Sequence, residues 1–379
     1  MRQAPSVSAL HKASFYGISR TISPLTREEI EEAGFSLAPV TEGYVEDDAP
    51  LCWGQLATLG LIDSHLILQG EVSGGKDIFP AQYAHTFNLP YMGFGFREGT
   101  SPNDWVTRTD LVEGERGGTI TEIVEGSLLK ACRGVTAKRD FTMLSLSERE
   151  ALKSQMEDSN YTVSDSDGIF TITVPAIVLF SDYDRASFAH LEMVRNALEL
   201  DKERLVHPIT GELIPILKGT RFVFTANSGS DGSDSSNNIF NSKDGSLLSR
   251  MSAVFVPPIE KKFERMVIAK AFPVLDTDEV RLLVDCIHAV RKVAKESPMG
   301  LEVSLRQTKQ WASHALRAMR DLPDLCPTFR EALPVGFHFL KGHLGTEMNR
   351  SAMEGAVASL LEGVIENTEV EDTRCPIDR

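Results

Sequence analysis

A glycine-rich turn between two apolar stretches constrains the fold of this 379-residue sequence more than any other feature. The turn, Gly70-Glu-Val-Ser-Gly-Gly-Lys76-Asp77, matches the pattern G-x-x-x-x-G-K. His65–Gln69 before it predicts a short strand, and Phe79–Phe87 after it has apolar residues at helical spacing. A strand, a glycine turn and a helix in this order predict an α/β core built on a parallel sheet.

The turn has the composition of a phosphate-binding loop. Its glycines would let backbone N–H groups close around phosphate oxygens, and the N-terminus of the next helix would add a favourable dipole. Lys76 would reach the β- and γ-phosphates of a nucleotide. The alternative is a tight strand-to-helix turn that binds nothing. The residues predicted to bind a nucleotide are Gly70, Ser73, Gly74, Gly75, Lys76 and Asp77.

Further apolar patterns predict the rest of an α/β domain and a helical region behind it. Ile172–Phe180 is a continuous apolar run, which predicts a central parallel strand buried on both faces. Arg221–Ala226 predicts a second strand, after a hairpin at 207–216. From residue 257 onward the spacing is helical, above all in Asp278–Lys295 and Thr308–Met319.

Composition predicts an insertion, a mobile loop and a division of the chain into three parts. The charged segment at about 136–172 is predicted as an exposed insertion. Residues 228–246 are predicted as a mobile loop, because Ser, Gly, Asp and Asn dominate them. A helix capped by Thr26 is expected near the start of the chain. The three parts are an N-terminal arm at 1–40, a nucleotide-binding α/β domain at 41–257, and a helical domain at 258–379 that ends in an acidic tail.

Charge and cysteine content argue against several classes of protein. The net charge of −15 repels polyphosphate backbones, so nucleic-acid binding is not expected as the main role. The five cysteines have no C-x-x-C spacing, which argues against a zinc site or a disulfide framework. No apolar run has the length needed to span a bilayer. We therefore expect a cytoplasmic protein that is not inserted in a membrane.

Four segments behind the glycine turn, together with it, resemble one family. Ile177–Ala186 (IVLFSDYDRA) is similar to the hhhhDE-x-N-R-A segment of AAA+ ATPases of the MoxR and cobaltochelatase small-subunit (CobS-like) types. Arg204–Asn227 resembles that family's hairpin and sensor-1 strand. Ser246–Met251 resembles its arginine-finger segment, and Ser304–Ala312 the sensor-2 helix of its lid. The resemblance covers about residues 40–320.

The resemblance implies both a fold and a mechanism. The fold is a three-layer αβα P-loop core with a parallel sheet, followed by a small helical lid. ATP and Mg²⁺ are expected between the subunits of a homo-oligomeric ring, a hexamer, that remodels a protein client, in some cases with a partner carrying a von Willebrand A domain. The catalytic residues implied are Asp182, Asn227 to orient the attacking water, Arg250 from a neighbouring subunit, and Arg306.

The metal ligands depart from the family pattern. The hydroxyl residue that ends the phosphate loop is replaced by Asp77, the aspartate of the Mg²⁺ shell by Ser181, and the catalytic glutamate by the shorter Asp182. A carboxylate and a hydroxyl are thus exchanged, and these three residues are predicted to hold Mg²⁺ with an unchanged ligand charge. Because Asp77 would also repel the phosphates, two hypotheses stay open: an ATPase with slow hydrolysis, and a non-hydrolysing scaffold.

Each residue assigned through the resemblance also has a purely structural interpretation. Asn227 would end a buried strand, and Arg250 and Arg306 would be solvated surface side chains. Asp182 and Asp184 would cap the helix that follows them. The order of these residues behind a phosphate loop favours the functional interpretation.

Overall fold

The computed structural model describes residues 11–41, 44–47, 49–70, 74–96, 101, 103–113, 119–198, 204–207, 210–227, 249–296, 303–341 and 347–363. Two compact units make up the chain. The first consists of Met1–Thr41, Glu46–Glu71 and Gly75–Pro257, and the second of Pro258–Arg379 with the short segments Glu42–Val45 and Val72–Gly74. The predicted mobile loop at 228–246 and the acidic tail lie outside the described residues, as does Ser73.

The strands all belong to the first unit. In chain order they are β1 (Lys12–Phe15), β2 (Ile18–Thr21), β3 (His65–Gly70), β4 (Tyr91–Gly95), β5 (Thr107–Glu113), β6 (Thr119–Glu125), β7 (Val135–Asp140), β8 (Thr162–Ser166), β9 (Ile169–Val174), β10 (Ile177–Ser181), β11 (Arg204–Val206), β12 (Leu213–Pro215), β13 (Arg221–Asn227) and β14 (Met251–Val256).

Helices occur in both units. Those of the first unit are α1 (Arg27–Glu32), α2 (Trp53–Asp63), α3 (Ile78–Thr86), α4 (Asn103–Val106), α5 (Ser127–Arg133), α6 (Leu146–Glu157) and α7 (Phe188–Arg195). Those of the second are α8 (Lys261–Ala271), α9 (Thr277–Glu296), α10 (Leu305–Asp321), α11 (Phe329–Lys341) and α12 (Glu347–Leu361). None of the helices in the described part of the chain combines the length and apolar character needed to cross a membrane.

A five-stranded parallel sheet forms the core of the first unit. Its strand order is β14–β3–β13–β10–β4, so the connection from β3 through α3 to β4 passes two intervening strands. Phe94, Phe180 and Phe224 occupy neighbouring positions on three adjacent strands and stack on one face of the sheet. The predicted α/β fold, with a parallel sheet followed by a helical region, is confirmed.

The apolar run Ile172–Phe180 does not form one central strand, and that prediction is wrong. The run is divided between β9, which pairs antiparallel with β7 and β8, and β10, which is the parallel strand. Pro175 lies at the division. Proline has no backbone N–H to donate to a ladder, so it ends β9 and separates the two strands.

The segment at 136–172, predicted as an exposed insertion, contains several buried side chains. Helix α6 begins with a capping box at Ser145 and buries Leu152 and Met156. Phe170 and Ile172 of β9, in the same segment, are fully buried as well. The bidentate pair between Arg139 and Glu29, with N–O distances of 2.8 and 2.6 Å, ties this segment to α1.

The N-terminal hairpin β1–β2 packs against the helix that follows the glycine turn. Phe15 is fully buried, and its ring lies 5.4 Å from that of Phe79 and 5.8 Å from that of Tyr83, both in α3. Trp53 approaches the same Phe79 ring at 5.4 Å. Helix α1 begins at the predicted Thr26 cap, with a complete capping box. The helix behind the turn is therefore held by aromatic contacts on its outer side.

The second unit is a helical bundle with an ionic network around a buried glutamate. Glu264 of α8 accepts hydrogen bonds from Arg291 and His288 of α9 and from Thr308 of α10. Its carboxylate is 0% exposed. The indole of Trp311 is also buried and donates to the carbonyl of Leu333 at 2.8 Å. Because a buried charge is costly unless paired, the Glu264 bonds fix the relative positions of three helices.

Candidate functional site

The carboxyl ends of the central strands meet at one edge of the sheet. Gly70, the last residue of β3, pairs with Asn227, the last residue of β13, and also with Val256 of β14. Ser181 ends β10 and pairs with Gly95 of β4. This edge of an open parallel sheet is where ligands bind in α/β proteins. The predicted site residues of the α/β unit can be assessed against it.

Gly70 is required by a close approach between two strands. A β-carbon at this position would lie 2.2 Å from the carbonyl oxygen of Val256. No real β-carbon makes such a contact with backbone, so only glycine lets β14 lie this close to the end of β3. The first glycine of the turn therefore has a structural reason that does not depend on a ligand.

Gly75 starts helix α3 and has open space beside it. Its φ of +82° lies in the left-handed region that favours glycine. Its carbonyl accepts hydrogen bonds from the N–H groups of Ile78 at 3.1 Å and Phe79 at 3.0 Å. A β-carbon on Gly75 would meet nothing within 4 Å. The backbone turns sharply here and leaves room at the N-terminus of the helix.

Lys76 is buried in the turn, with only 5% of the residue exposed. Its Nζ donates to the carbonyl oxygen of Gly70 at 2.9 Å. The ammonium group is thereby held over the end of β3, next to the first turn of α3. This is the location that the phosphate-loop pattern assigns to its lysine.

Asp77 turns toward the sheet instead of capping its own helix. It holds the N-cap position of α3 but makes no side-chain cap bond. Its Oδ1 accepts a hydrogen bond from the hydroxyl of Thr225 in β13, with an oxygen–oxygen distance of 2.5 Å. The charge of Asp77 also reaches Tyr91 of β4: burial, and secondarily this carboxylate, raise the pKa of Tyr91 to about 12.

Asp182 and Asn227 are brought together at the ends of β10 and β13. The side-chain amide of Asn227 donates to Oδ1 of Asp182 at 3.3 Å, and the backbone N–H of Asn227 donates to Oδ1 of Asp184, also at 3.3 Å. Asp182 makes no cap bond to the short 3₁₀ turn Tyr183–Arg185 that follows it. The structural alternative in which Asp182 caps that turn is therefore not observed.

Ser181 lies beside the residue that binds Asp77. Phe180 pairs with Phe224, so the next position places Ser181 alongside Thr225 on the neighbouring strand. The hydroxyl of Ser181 donates to the carbonyl of Phe94 at 3.3 Å. Thr225, a residue that the sequence patterns did not single out, thus bonds Asp77 and occupies the strand position next to Ser181. Its only signal was a hydroxyl two residues before Asn227, in an otherwise apolar strand.

The oxygen atoms at this edge are of the type that Mg²⁺ prefers. Asp77, Ser181 and Asp182 offer carboxylate and hydroxyl oxygens, and Mg²⁺ commonly takes only one or two carboxylates and keeps several waters. Within the described ranges, no three His, Cys, Asp or Glu side chains are grouped closely enough to hold a metal ion by themselves. The residues fit a cation that is shared with a phosphate ligand, and the metal assignment stays a prediction.

Arg250, one of the two predicted arginines, lies away from this edge. Arg250 directly precedes β14, whose first residue pairs with His65 at the opposite, amino end of β3. One strand length, about 20 Å, separates Arg250 from the end of β3 at Gly70, so Arg250 cannot serve the turn of its own chain. Arg306 is exposed in the first turn of α10, in the second unit. Gly74, another of the residues predicted to bind a nucleotide, directly precedes Gly75 in the turn.

Comparisons with known proteins give a fold-level likeness only. No protein-family model matches the sequence, and no curated protein matches it. Among solved structures, the chain is similar to the Thermotoga maritima RuvB Holliday junction branch migration motor, with 11% identity over 71% of this chain and 68% of that chain, and a TM-score of 0.35. A likeness with so low a TM-score gives no information on the fold beyond the strand order and register described above. The MoxR and cobaltochelatase resemblances stay predictions.

Proposed function

We propose that this chain is an AAA+-type protein that binds ATP at the carboxyl end of its parallel sheet. The observation that carries the proposal is the position of Lys76, whose ammonium group is buried 2.9 Å from the Gly70 carbonyl, between the end of β3 and the start of α3. An ammonium group has three N–H donors, so a bond to Gly70 is compatible with a second bond to a phosphate oxygen.

Two further features of the turn suit a triphosphate. The open space beside Gly75 lies just before the N-terminus of α3. The helix dipole favours negative charge at this end. A compact cation and a helix N-terminus at one turn form an anion site, and the sheet edge next to it provides a place for the rest of the nucleotide.

We propose that Asp77, Ser181 and Asp182 would hold Mg²⁺ together with the bound triphosphate. The cation would neutralise the charge that develops on the γ-phosphate during hydrolysis. Asn227 would orient water and Asp182 would accept its proton, since the two side chains already lie within hydrogen-bonding distance of each other. Thr225 draws the Asp77 carboxylate to the side of Ser181, as an exchange of these two ligands requires.

We propose that the ATPase works as a homo-oligomeric ring, a hexamer, in which Arg250 reaches the nucleotide of a neighbouring subunit. The location of Arg250 at the far edge of the sheet supports a role in trans. The client of such a ring would be a protein, and a partner with a von Willebrand A domain is proposed on the family resemblance alone. A net charge of −15 opposes a nucleic-acid client.

A second candidate is a non-hydrolysing assembly module that binds ATP without turnover. It is favoured by the fact that both carboxylates at the site already accept hydrogen bonds from neighbours, Asp77 from Thr225 and Asp182 from Asn227. Each of these bonds would compete with the metal or the water for the carboxylate. The two candidates share the nucleotide site and differ only in hydrolysis.

Isothermal titration with ATP tests the proposal. Wild type should bind, and Lys76→Ala should lose most of the affinity. Lys153→Ala is the matched control, because Lys153 is a partly exposed lysine of α6 that pairs along its own helix with Glu157, and it should bind as wild type does. If wild type shows no affinity at millimolar ATP, the turn is only a tight turn. Phosphate release with and without Mg²⁺ then separates the two candidates.

A further inference from the structure

Thr225 lies next to the phosphate turn, and its effect on the binding of the phosphates themselves goes beyond the metal-ligand arrangement described above. It is the third residue from the end of β13, two before Asn227, and only 3% exposed. Its hydroxyl is oriented by the Asp77 carboxylate at 2.5 Å, although the two residues are 148 positions apart in sequence. A short bond from a buried hydroxyl to a carboxylate is charge-assisted and stronger than a neutral one.

The partner of Asp77 is unusual for the position that Asp77 holds. An aspartate at the N-cap of a helix normally accepts a hydrogen bond from the N–H of the second or third helical residue. Asp77 makes no such bond. The second helical residue, Phe79, donates to the Gly75 carbonyl instead, and the third, Pro80, has no N–H. The Asp77 carboxylate is bonded on the sheet side of the turn, by the Thr225 hydroxyl.

The direction of this carboxylate matters for an anion site. A carboxylate turned toward the N-terminus of α3 would take the place of a phosphate there and would offset the favourable helix dipole. It would also repel the phosphate oxygens through its charge. In a loop that ends in Asp instead of Ser or Thr, the carboxylate must therefore be held away from the phosphate oxygens.

We propose that Thr225 is a positioning residue of the phosphate site, whose hydroxyl holds the Asp77 carboxylate clear of the incoming phosphate oxygens. The inference rests on the proposed binding of ATP at this turn. It explains how the turn tolerates a carboxylate at a position where the same charge would otherwise exclude the ligand.

The test is a double-mutant cycle on ATP affinity, measured by isothermal titration in EDTA so that no cation bridges the carboxylate and the phosphates. Thr225→Val, which removes the hydroxyl and keeps the shape, should weaken binding roughly tenfold. Thr225→Ser should stay within about twofold of wild type. Asp77→Asn should bind at least as tightly as wild type, because it removes the negative charge.

The decisive variant is the double change Thr225→Val with Asp77→Asn. It should bind like Asp77→Asn alone, because no carboxylate is left to restrain. Thr225→Ala serves as a second hydroxyl-free variant, so that the result does not depend on how valine packs. If the hydroxyl-free variants bind like wild type, or if the double variant is as weak as Thr225→Val, the positioning role is wrong while ATP binding stands. If wild type does not bind, the proposed function itself fails, and this role with it.

Discussion

The side-chain amide of Asn227 donates to the Asp182 carboxylate at 3.3 Å and thereby joins the ends of β13 and β10 beside the phosphate turn. Asp182 makes this contact from φ 57° and ψ 47°, the left-handed region. That region costs most residues roughly 1–2 kcal/mol, whereas Asp and Asn enter it more easily. Backbone strain of this kind is concentrated at functional sites.

Asp182→Ala is expected to lower the free energy of unfolding by about 1–2 kcal/mol, because alanine loses the bond to Asn227 and is less suited to left-handed backbone. Asp182→Asn should change it by less than about 0.5 kcal/mol, because an acceptor oxygen remains. Urea unfolding followed by circular dichroism measures both. Asp167, with φ 55° in another turn, is the control: if Asp167→Ala costs as much as Asp182→Ala, the Asn227 bond contributes nothing to stability.

The exchanged metal ligands predict a non-additive pair of substitutions. Asp77→Thr together with Ser181→Asp restores the ordinary arrangement of hydroxyl and carboxylate, and Mg²⁺-dependent phosphate release should rise above that of wild type. Either change alone should lower the rate or leave it at the background, since each disturbs the ligand charge of one ion. Phosphate release is measured with and without Mg²⁺. A double variant as inert as wild type would support the non-hydrolysing module.

If Arg250 acts on the nucleotide of a neighbouring subunit, each active site needs residues from two subunits. Mass photometry with ATP should show a closed ring, and Arg250→Ala should lower phosphate release by at least roughly a hundredfold without loss of ATP binding. Mixing Arg250→Ala with Lys76→Ala should restore part of the activity, because a wild-type arginine then faces a wild-type turn. Arg281→Ala, an exposed arginine of α9, is the control. A persistent monomer, or no recovery on mixing, removes the role in trans.

Gly70→Ala should lower the free energy of unfolding by about 2 kcal/mol or more, since the new methyl group would lie 2.2 Å from the Val256 carbonyl and β14 would have to move. Gly355→Ala is the matched control in α12. Its methyl group meets nothing within 4 Å, and alanine favours a helix interior over glycine by about 1 kcal/mol. Thermal unfolding compares the two, and similar midpoints would mean that β14 relaxes away from β3 without cost.

The lowered pKa of Glu264 predicts that the helical unit loses stability in acid. Burial alone would raise the pKa of this carboxyl, but the bonds from His288, Arg291 and Thr308 outweigh burial and lower the pKa from 4.5 to about 2. A carboxyl with a lowered folded-state pKa stabilises the fold above its unfolded pKa, and this contribution is lost as the pH falls from about 4.5 to 2. Urea unfolding at a series of pH values should show the loss.

Glu264→Gln should be less stable at pH 7, because Arg291 and His288 lose a charged partner, and its stability should fall less steeply between pH 4.5 and 2. Glu157→Gln, at an exposed carboxylate of α6, should keep the wild-type slope. If Glu264→Gln keeps that slope too, other carboxylates cause the acid sensitivity.

Local patterns were sufficient to predict the elements around the phosphate turn. Apolar residues in β3, helical spacing in α3 and the Thr26 capping box are all properties of neighbouring residues, and all three are confirmed. The hairpin β11–β12 and the helices α9 and α10 were predicted in the same way. The break at Pro175 is visible in the sequence, where the missing N–H outweighs the apolar character of the residues on both sides.

Contacts between distant residues could not be predicted. The bond from Thr225 to Asp77 depends on which strand lies beside β3, and strand order is not encoded in local periodicity. The same holds for Arg221, which donates to the carbonyls of Leu61 and Ile62 at the end of α2, 160 and 159 positions away. The binding and catalytic roles of the site residues remain predictions, because they depend on a ligand.

The aromatic contact between Trp53 and Phe79 gives the phosphate turn an optical reporter. Phe79 is the second residue of α3, directly behind the turn, and the centroid of the half-buried Trp53 indole lies 5.4 Å from that of the Phe79 ring. Indole emission responds to the polarity and packing around the ring. A displacement of α3 when a ligand enters the turn would therefore change the intrinsic fluorescence of the unlabelled protein, and binding can be followed on the time scale of mixing.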